Sequence, residues 1–294
     1  MKFTFSALIG VSLLWGVGPA VAADSEPATS SQSETYQLRY RLKPDERIHY
    51  EVTHVAKTKT RIGGVEELAQ VHTVSEKVWE ITGVSDEGAM TFIHAVDSVQ
   101  MTQQAGDADE VRWDSRSGEP APLLFESVSQ QLNKPLSTVT INPRGQELDR
   151  EQHGGSVATL GMGGLTIALP EEAVAIGYSW SVPREIKARG EAGEVKVIKA
   201  RDTFTLNQVQ TGVATIKVRS EILTPIEQAS VKAQIVQQLS NGTIRFDIDA
   251  GRLLSKRLDW DETVVGFQGA NSLMEYRARM TEELVTGPVR TAKR

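Results

Sequence analysis

GTIRFDIDAGRLLSKRLDW, Gly242 to Trp260, carries the fold signal of this chain in its clearest form. Ile244, Phe246 and Ile248 alternate with Arg245 and Asp247, and Asp249-Ala250-Gly251 then supplies turn chemistry. Period-two alternation closed by Asp and Gly is the pattern of a half-buried antiparallel strand entering a hairpin. The same period recurs outward in both directions. It runs through Ile48, Tyr50 and Val52, through Met90 and Phe92, and through Phe204 and Leu206. It continues in Ala214, Ile216 and Val218 and in Met274, Tyr276, Ala278 and Met280. Asp86-Glu87-Gly88 and Asn142-Pro143-Arg144-Gly145 mark further turns. The regular βαβ alternation of a parallel doubly wound sheet does not appear.

Two segments follow helical period instead. Leu124, Val128 and Leu132 recur at i, i+4, i+8 between Pro122 and Pro135. They predict an amphipathic helix. Val231, Ile235 and Leu239 do the same before Asn241-Gly242, although Ala233, Ile235 and Leu239 also suit an edge strand. The two segments align without a gap: Val128-Ser-Gln-Gln-Leu132 on Ile235-Val-Gln-Gln-Leu239. Upstream, Gly88-Ala-Met-Thr91 falls on Gly212-Val-Ala-Thr215, Trp79 and Ile81 on Phe204 and Leu206, and Ile48–Val52 on Tyr178–Val182. Four matches in one order predict an internal duplication. The expected fold is mainly β with one or two short helices. Its curved antiparallel sheets form either an incomplete barrel or two packed sheets. The first copy carries an insert, Thr102 to Glu119, expected to be a protruding hairpin.

The boundaries follow from composition. Residues 1–22 read as a signal peptide: Lys2, then the apolar run from Phe3, then Ala20-Val21-Ala22 as an A-x-A cleavage site. The alternative is an uncleaved anchor, but Ser, Gly and Pro dilute the run. Residues 23–35 are a polar leader, 36–152 the first unit, 153–168 a Gly-rich linker, 169–286 the second unit and 287–294 a basic tail. The expected location is therefore exported, in the periplasm or secreted, with no transmembrane segment after cleavage.

Composition excludes several functions. Lys plus Arg number 32 against 38 Asp plus Glu, a net charge of −6, which lacks the basic footprint of a nucleic-acid binder. Cysteine is absent, which removes disulfide scaffolds, thiolate metal sites and thiol nucleophiles. The runs Leu169–Pro183 (LPEEAVAIGYSWSVP), Arg112–Glu119 (RWDSRSGE) and Gly242–Trp260 resemble an uncharacterised secreted family abundant in planctomycete bacteria. That resemblance spans most of the chain after Tyr36 and implies no chemistry. Strand–helix–strand units ending in FD-x-x-x-G-x-L are loosely similar in architecture to periplasmic lipoprotein carriers. In those folds a partial barrel is lined with apolar side chains.

A search for chemistry returns mostly structure. Gly161-Met-Gly163-Gly164 begins like a dinucleotide loop but continues Leu165-Thr166 and follows no strand, so it reads as linker. Asp247, Asp249 and Gly251 hint at a calcium loop, but Arg252 stands where the obligatory Gly belongs. His54 and His94 share the inward parity of their strands. With Asp97 or Glu76 they could form a zinc or general-base site, against the simpler reading of two strand histidines. Asp259-Trp260-Asp261-Glu262 reads as a solvated strand end rather than a glycosidase acid pair. Trp79, Trp113, Trp180 and Trp260 read as core anchors. Asn241-Gly242-Thr243 reads as a turn. No residue is assigned to catalysis, to a cofactor or to a metal. The expected activity is binding: an exported, non-enzymatic module that holds a lipid-like ligand in an apolar groove. The expected partner is a hydrophobic molecule or an envelope protein. A hydrolase with a dispersed His94/Asp97 site and a structural envelope component are the alternatives.

Overall fold

A computed structural model describes residues 34–153 and 164–286. Residues 1–22, read above as a signal peptide, most of the segments read as leader and linker, and residues 287–294 lie outside these residues. In chain order the strands begin with β1 (Thr35–Tyr36), β2 (Arg47–Ile62), β3 (Val65–Val84), β4 (Met90–Ala105) and β5 (Val111–Asp114). A one-turn helix α1 (Glu126–Ser129) leads to β6 (Pro135–Ile141), β7 (Glu147–Gln152) and β8 (Val174–Ala175). Then come β9 (Ser179–Arg189), β10 (Val195–Gln210), β11 (Val213–Ile222), α2 (Ala229–Ile235), β12 (Asn241–Asp247), β13 (Arg252–Val265) and β14 (Ser272–Leu284).

One 12-stranded sheet carries nearly everything, in the order β7-β6-β4-β3-β2-β14-β13-β12-β11-β10-β9, with β5 added on β4. Every pairing in it is antiparallel. The small pair β1–β8 stands apart. Of the two architectures expected, the two halves therefore share one sheet. Their seam is β2 against β14, from Ile62↔Ser272 to Tyr50↔Leu284. Among the described strands β7 and β9 end the sheet without pairing, so it is not closed into a barrel.

The sheet is strongly curled, and backbone hydrogen bonds require it. Tyr40 N donates to Pro143 O at 2.7 Å and Arg41 N donates to Gly251 O at 2.9 Å. Pro143 lies in the β6–β7 turn and Gly251 in the β12–β13 turn. On a flat sheet those turns would stand roughly 24 Å apart, five strand spacings of about 4.8 Å. Neighbouring residues of one chain, about 3.8 Å apart, instead reach both. The inner face holds one core: Ile48, Tyr50, Trp79, Ile81, Phe92 and Val139 from the first half meet Phe204, Leu206, Ile216, Ile244, Phe246 and Met280 from the second. Leu38, Tyr40 and Leu42 strap one end of the curl, with Tyr40 edge-on to Phe246 at 5.2 Å.

A second strap comes from the segment expected to be a linker. Residues 154–163 are outside the described part, but Leu165, Ile167 and Leu169 are buried in the same core. Ile167 N donates to the Tyr40 hydroxyl, and Thr166 Oγ1 to the carbonyl of Gly145. Gly145 itself has φ +74°, and a Cβ there would overlap the Ile167 carbonyl oxygen and the Tyr40 ring. Gly145→Ala is expected to lower stability by about 2 kcal/mol, through backbone strain plus displacement of both straps. Urea unfolding measures it.

The helices differ from their expected faces in one respect. The first forms as a 3-10 turn, Leu123–Phe125, running into the four residues of α1. Phe125 and Val128 are buried and Leu124 is half exposed, so the i, i+4 stripe through Leu124 does not hold. A 3-10 entry has three residues per turn, which moves the buried face to Phe125. Its partners are Val96, Val99, Met101, Trp113 and Leu136. Trp113 comes from the insert Thr102–Glu119, which forms a β4–β5 hairpin as expected but, instead of protruding, packs Trp113 back on Phe125 of the 3-10 turn. The second segment takes the helical option. Val231 and Ile235 of α2 cover Ile186, Ala188, Ile198 and Ala200.

Candidate functional site

Between the two free edges of the curl lies a cavity of about 680 Å³. Its apolar wall is the inner face of β9 to β13: Val182, Phe204, Val218, Ile244, Leu258 and Trp260. Each occupies the inward parity of its strand, because the pleat sends alternate residues to one face. Leu165 to Ala168 of the second strap and Gly145 to Glu147 of β7 and its turn close the opposite side. Trp260 is fixed by Nε1–H donating to Gln237 O at 3.1 Å, in the 3-10 turn after α2. Trp180 beside the cavity donates Nε1–H to Ala168 O at 2.8 Å.

The polar lining is charged and paired. Arg150 meets Glu147 at 2.5 Å, and Arg184 Nε meets Asp202 at 3.1 Å. Lys256 lines the wall with only 5 % of its surface exposed. Its ammonium donates to Glu282 Oε2 at 2.7 Å and to Gly164 O at 3.1 Å. Behind it, Lys77 donates to the other oxygen of Glu282. Lys77 also lies over the rings of Tyr50, at 4.8 Å, and Trp79, at 5.1 Å. Lys256 of β13 pairs across from Glu282 of β14, and one strand, β2 with Val52 and Tyr50, separates Glu282 from Lys77 on β3. Burial pushes the Lys77 ammonium down to about 8, and Lys256 beside it acts in the same direction, against the pull of Glu282. Burial opposes ionisation of Glu282, but the two ammonium groups together outweigh it and hold the carboxyl at about 2.

The histidine site weighed against two simple strand histidines does not assemble. His94 pairs across from Trp79 and is fully buried, and neither ring nitrogen has a partner among the described residues. Burial first, then Lys77 and Arg150, push its imidazole down to about 3, so it is neutral. His54 pairs across from Thr73, six residues further along β3, roughly 20 Å from the His94 row. It sits edge-on to Trp260 at 6.4 Å. Asp97 is the extra residue of a bulge, where Glu76 pairs with Ser98 and Lys77 with Val96. The carboxylates named from sequence do meet an imidazole, but it is His49 on the outer face. His49, Glu76 and Asp97 place one possible ligand atom each within 4.8 Å of one another. His49 Nδ1 is 3.0 Å from Glu76 Oε1, and Arg116 takes the other Glu76 oxygen. Burial raises the Asp97 carboxyl, while the nearby Arg47 lowers it. Two guanidinium groups beside these acids make an ion-pair network and oppose a bound cation.

The remaining sequence candidates resolve structurally. Asp259 and Asp261 point outward to Arg279 and Arg277, while Trp260 between them points into the cavity. The four-residue acidic run therefore lies within β13, split between its faces. Asp247 caps the β12–β13 turn, its Oδ1 accepting from Ala250 N. Asn241-Gly242-Thr243 opens strand β12 and is not a turn. Of the glycine loop, residues 161–163 are outside the described part, and Gly164 offers its carbonyl to Lys256. Trp79 and Trp113 are core, as expected, whereas Trp260 lines the cavity. The charges Lys77, Lys256 and Glu282 were not singled out from sequence. Their signal was present: Glu282 continues the inward series Met274, Tyr276, Ala278, Met280.

Comparison with known proteins adds one family. Residues 151–252 match the profile of a family of unknown function, DUF6263. The match takes in all of Leu169–Pro183 and the start of the Gly242–Trp260 run, both read above as family marks, but not Arg112–Glu119. It covers β9 to β12, which supply most of the apolar cavity wall. No curated protein sequence matches the chain. A solved structure of lipovitellin, described by its lipid–protein interactions, aligns with 85 % of this chain at 12 % identity and a TM-score of 0.45. The chain spans 26 % of that protein, and a likeness so loose says nothing about a ligand. Among the described residues no helix is long and apolar enough to cross a membrane.

Proposed function

We propose that this is an exported, non-catalytic binding protein that holds a hydrophobic ligand in the cavity between the free edges of its curled sheet. The observation that carries the reading is the cavity itself. At about 680 Å³ it lies inside the range of small-molecule sites, with an apolar wall on β9 to β13 and five charged side chains in the rest of its lining. The absence of any compact catalytic motif and the burial of His94 away from Asp97 leave the hydrolase alternative without a constellation. The duplication belongs to the same proposal. Its support is that the aligned sequence segments fall on β2 and β9, β3 and β10, β4 and β11, and α1 and α2, in one order.

N-phenyl-1-naphthylamine, an uncharged apolar fluorophore, tests the reading. Wild-type protein is expected to bind it with a blue-shifted, saturable signal. Val182→Trp, on the edge strand β9, fills the cavity mouth and is expected to weaken binding about tenfold or more while the protein stays folded. No saturable signal, or equal binding by the variant, would overturn the cavity as the site.

A further inference from the structure

We infer that the ligand of this cavity is a single-chain amphiphile whose anionic headgroup seats on Lys256. This rests on the reading of the cavity as a hydrophobic site and names the chemistry of its polar end. The argument is one of charge. Of the charged groups in and directly behind the lining, Arg150 pairs with Glu147 and Arg184 pairs with Asp202. Glu282 alone serves both Lys77 and Lys256. Among the described residues four cations thus face three anions, and the one positive charge in surplus falls on the buried Lys77–Glu282–Lys256 group, whose side chains are at most 6 % exposed. A buried charge without its counterpart is costly, and an anion that supplies the counterpart gains correspondingly.

The surplus is local to Lys256. Lys77 lies over the faces of Tyr50 and Trp79, which offset part of its charge. Lys256 has no such cushion among the described residues. Two of its three N–H groups are used, by Glu282 and by the Gly164 carbonyl. The third has no partner among the described residues, and Lys256 lines the cavity together with Leu258, Ile244 and Trp260. A carboxylate there would receive a charge-assisted hydrogen bond, and its alkyl chain would run along Val218, Phe204 and Val182. A neutral headgroup would leave the surplus unmet, and a cationic one would add to it.

Displacement of N-phenyl-1-naphthylamine by three amphiphiles with the same dodecyl chain decides the matter: dodecanoate, dodecan-1-ol and dodecyltrimethylammonium. Dodecanoate is expected to displace the probe at about a tenfold lower concentration than the alcohol, with the cation weakest. Lys256→Gln leaves Glu282 paired with Lys77, so the buried charges balance, and it is expected to bring the acid-to-alcohol ratio to about one. Lys57→Gln, exposed on the outer face, keeps the wild-type ratio. If the probe binds but acid and alcohol displace it equally, or if Lys256→Gln keeps the preference, the headgroup assignment falls and the hydrophobic cavity stands. If the probe does not bind and native mass spectrometry with dodecanoate shows only free protein, both fall. Acetate at the same concentration is expected to displace nothing; displacement by acetate would assign the site to small anions and overturn the amphiphile.

Discussion

Replacing Glu282 by Gln is expected to lower the unfolding free energy by about 3–5 kcal/mol, the cost of leaving buried charges without a partner. Lys77 and Lys256 would then face each other across a fully buried neutral amide. The opposite experiment separates charge from packing. Lys77→Met, Glu282→Leu and Lys256→Met made together keep the volume and remove all three charges. That protein is expected to equal or exceed the wild type, by up to about 4 kcal/mol, because replacing a buried ion pair with apolar groups is often stabilising. If the single variant loses less than about 1 kcal/mol, the three groups are not held as charges, and the surplus at the cavity wall does not exist. If the triple variant also collapses, the network is needed to specify the curl rather than merely tolerated within it.

Acid adds an independent reading of the same triad. The Glu282 carboxyl is held at about 2 in the folded protein, below its ordinary 4.5. A depressed carboxyl contributes stability that is fully present above pH 4.5 and is lost as pH falls through 2. The linked free energy is about 3 kcal/mol at 1.36 kcal/mol per pH unit. The groups that face it are Lys256 from β13 and Lys77 from β3, with the hydroxyls of Tyr40 and Tyr50 and the neutral His94 nearby. Other carboxylates also titrate in that window, so the quantity to measure is the difference in acid sensitivity between wild type and Glu282→Gln. The wild type is expected to show the steeper loss.

Period two made the sheet legible. Ile48, Tyr50, Val52, Met90, Phe92, Ile216, Ile244, Phe246 and Met280 all face the core as their alternation requires. The turns at Asp86–Gly88, Asn142–Gly145 and Asp249–Gly251 lie between consecutive strands as read. Alternation fixes which face a side chain takes. It does not fix which strand edges meet or how far the sheet curls. The seam of β2 on β14 joins residues more than two hundred positions apart, and no local pattern announces it. The cavity depends on that long-range closure and on the straps. Leu165 and Ile167 lie within a segment whose glycines suggested a linker, yet they are core. His49 escapes a sequence reading for a related reason: inward parity selects His54 and His94, whereas Glu76 and Asp97 gather on the outer face, one of them turned there by a bulge.

The short helix tests where local periodicity stops being informative. Sequence period places Leu124 on the buried stripe with Val128, but the structure buries Phe125 and leaves Leu124 half exposed. Phe125→Ala is expected to cost about 3–5 kcal/mol, the range for deleting a buried aromatic ring. The ring stacks on Trp113 at 6.5 Å and closes the cluster of Val96, Val99, Met101 and Leu136, so its loss opens a cavity beneath the β4–β5 hairpin. Leu124→Ala is expected to change stability by less than about 0.5 kcal/mol. The physical reason is phase. Four residues of α-helix entered through a 3-10 turn do not complete the two turns over which a 3.6-residue stripe develops. Urea unfolding of the two variants measures both numbers, and a larger loss for Leu124→Ala would restore the stripe read from the sequence and displace Phe125 from the core.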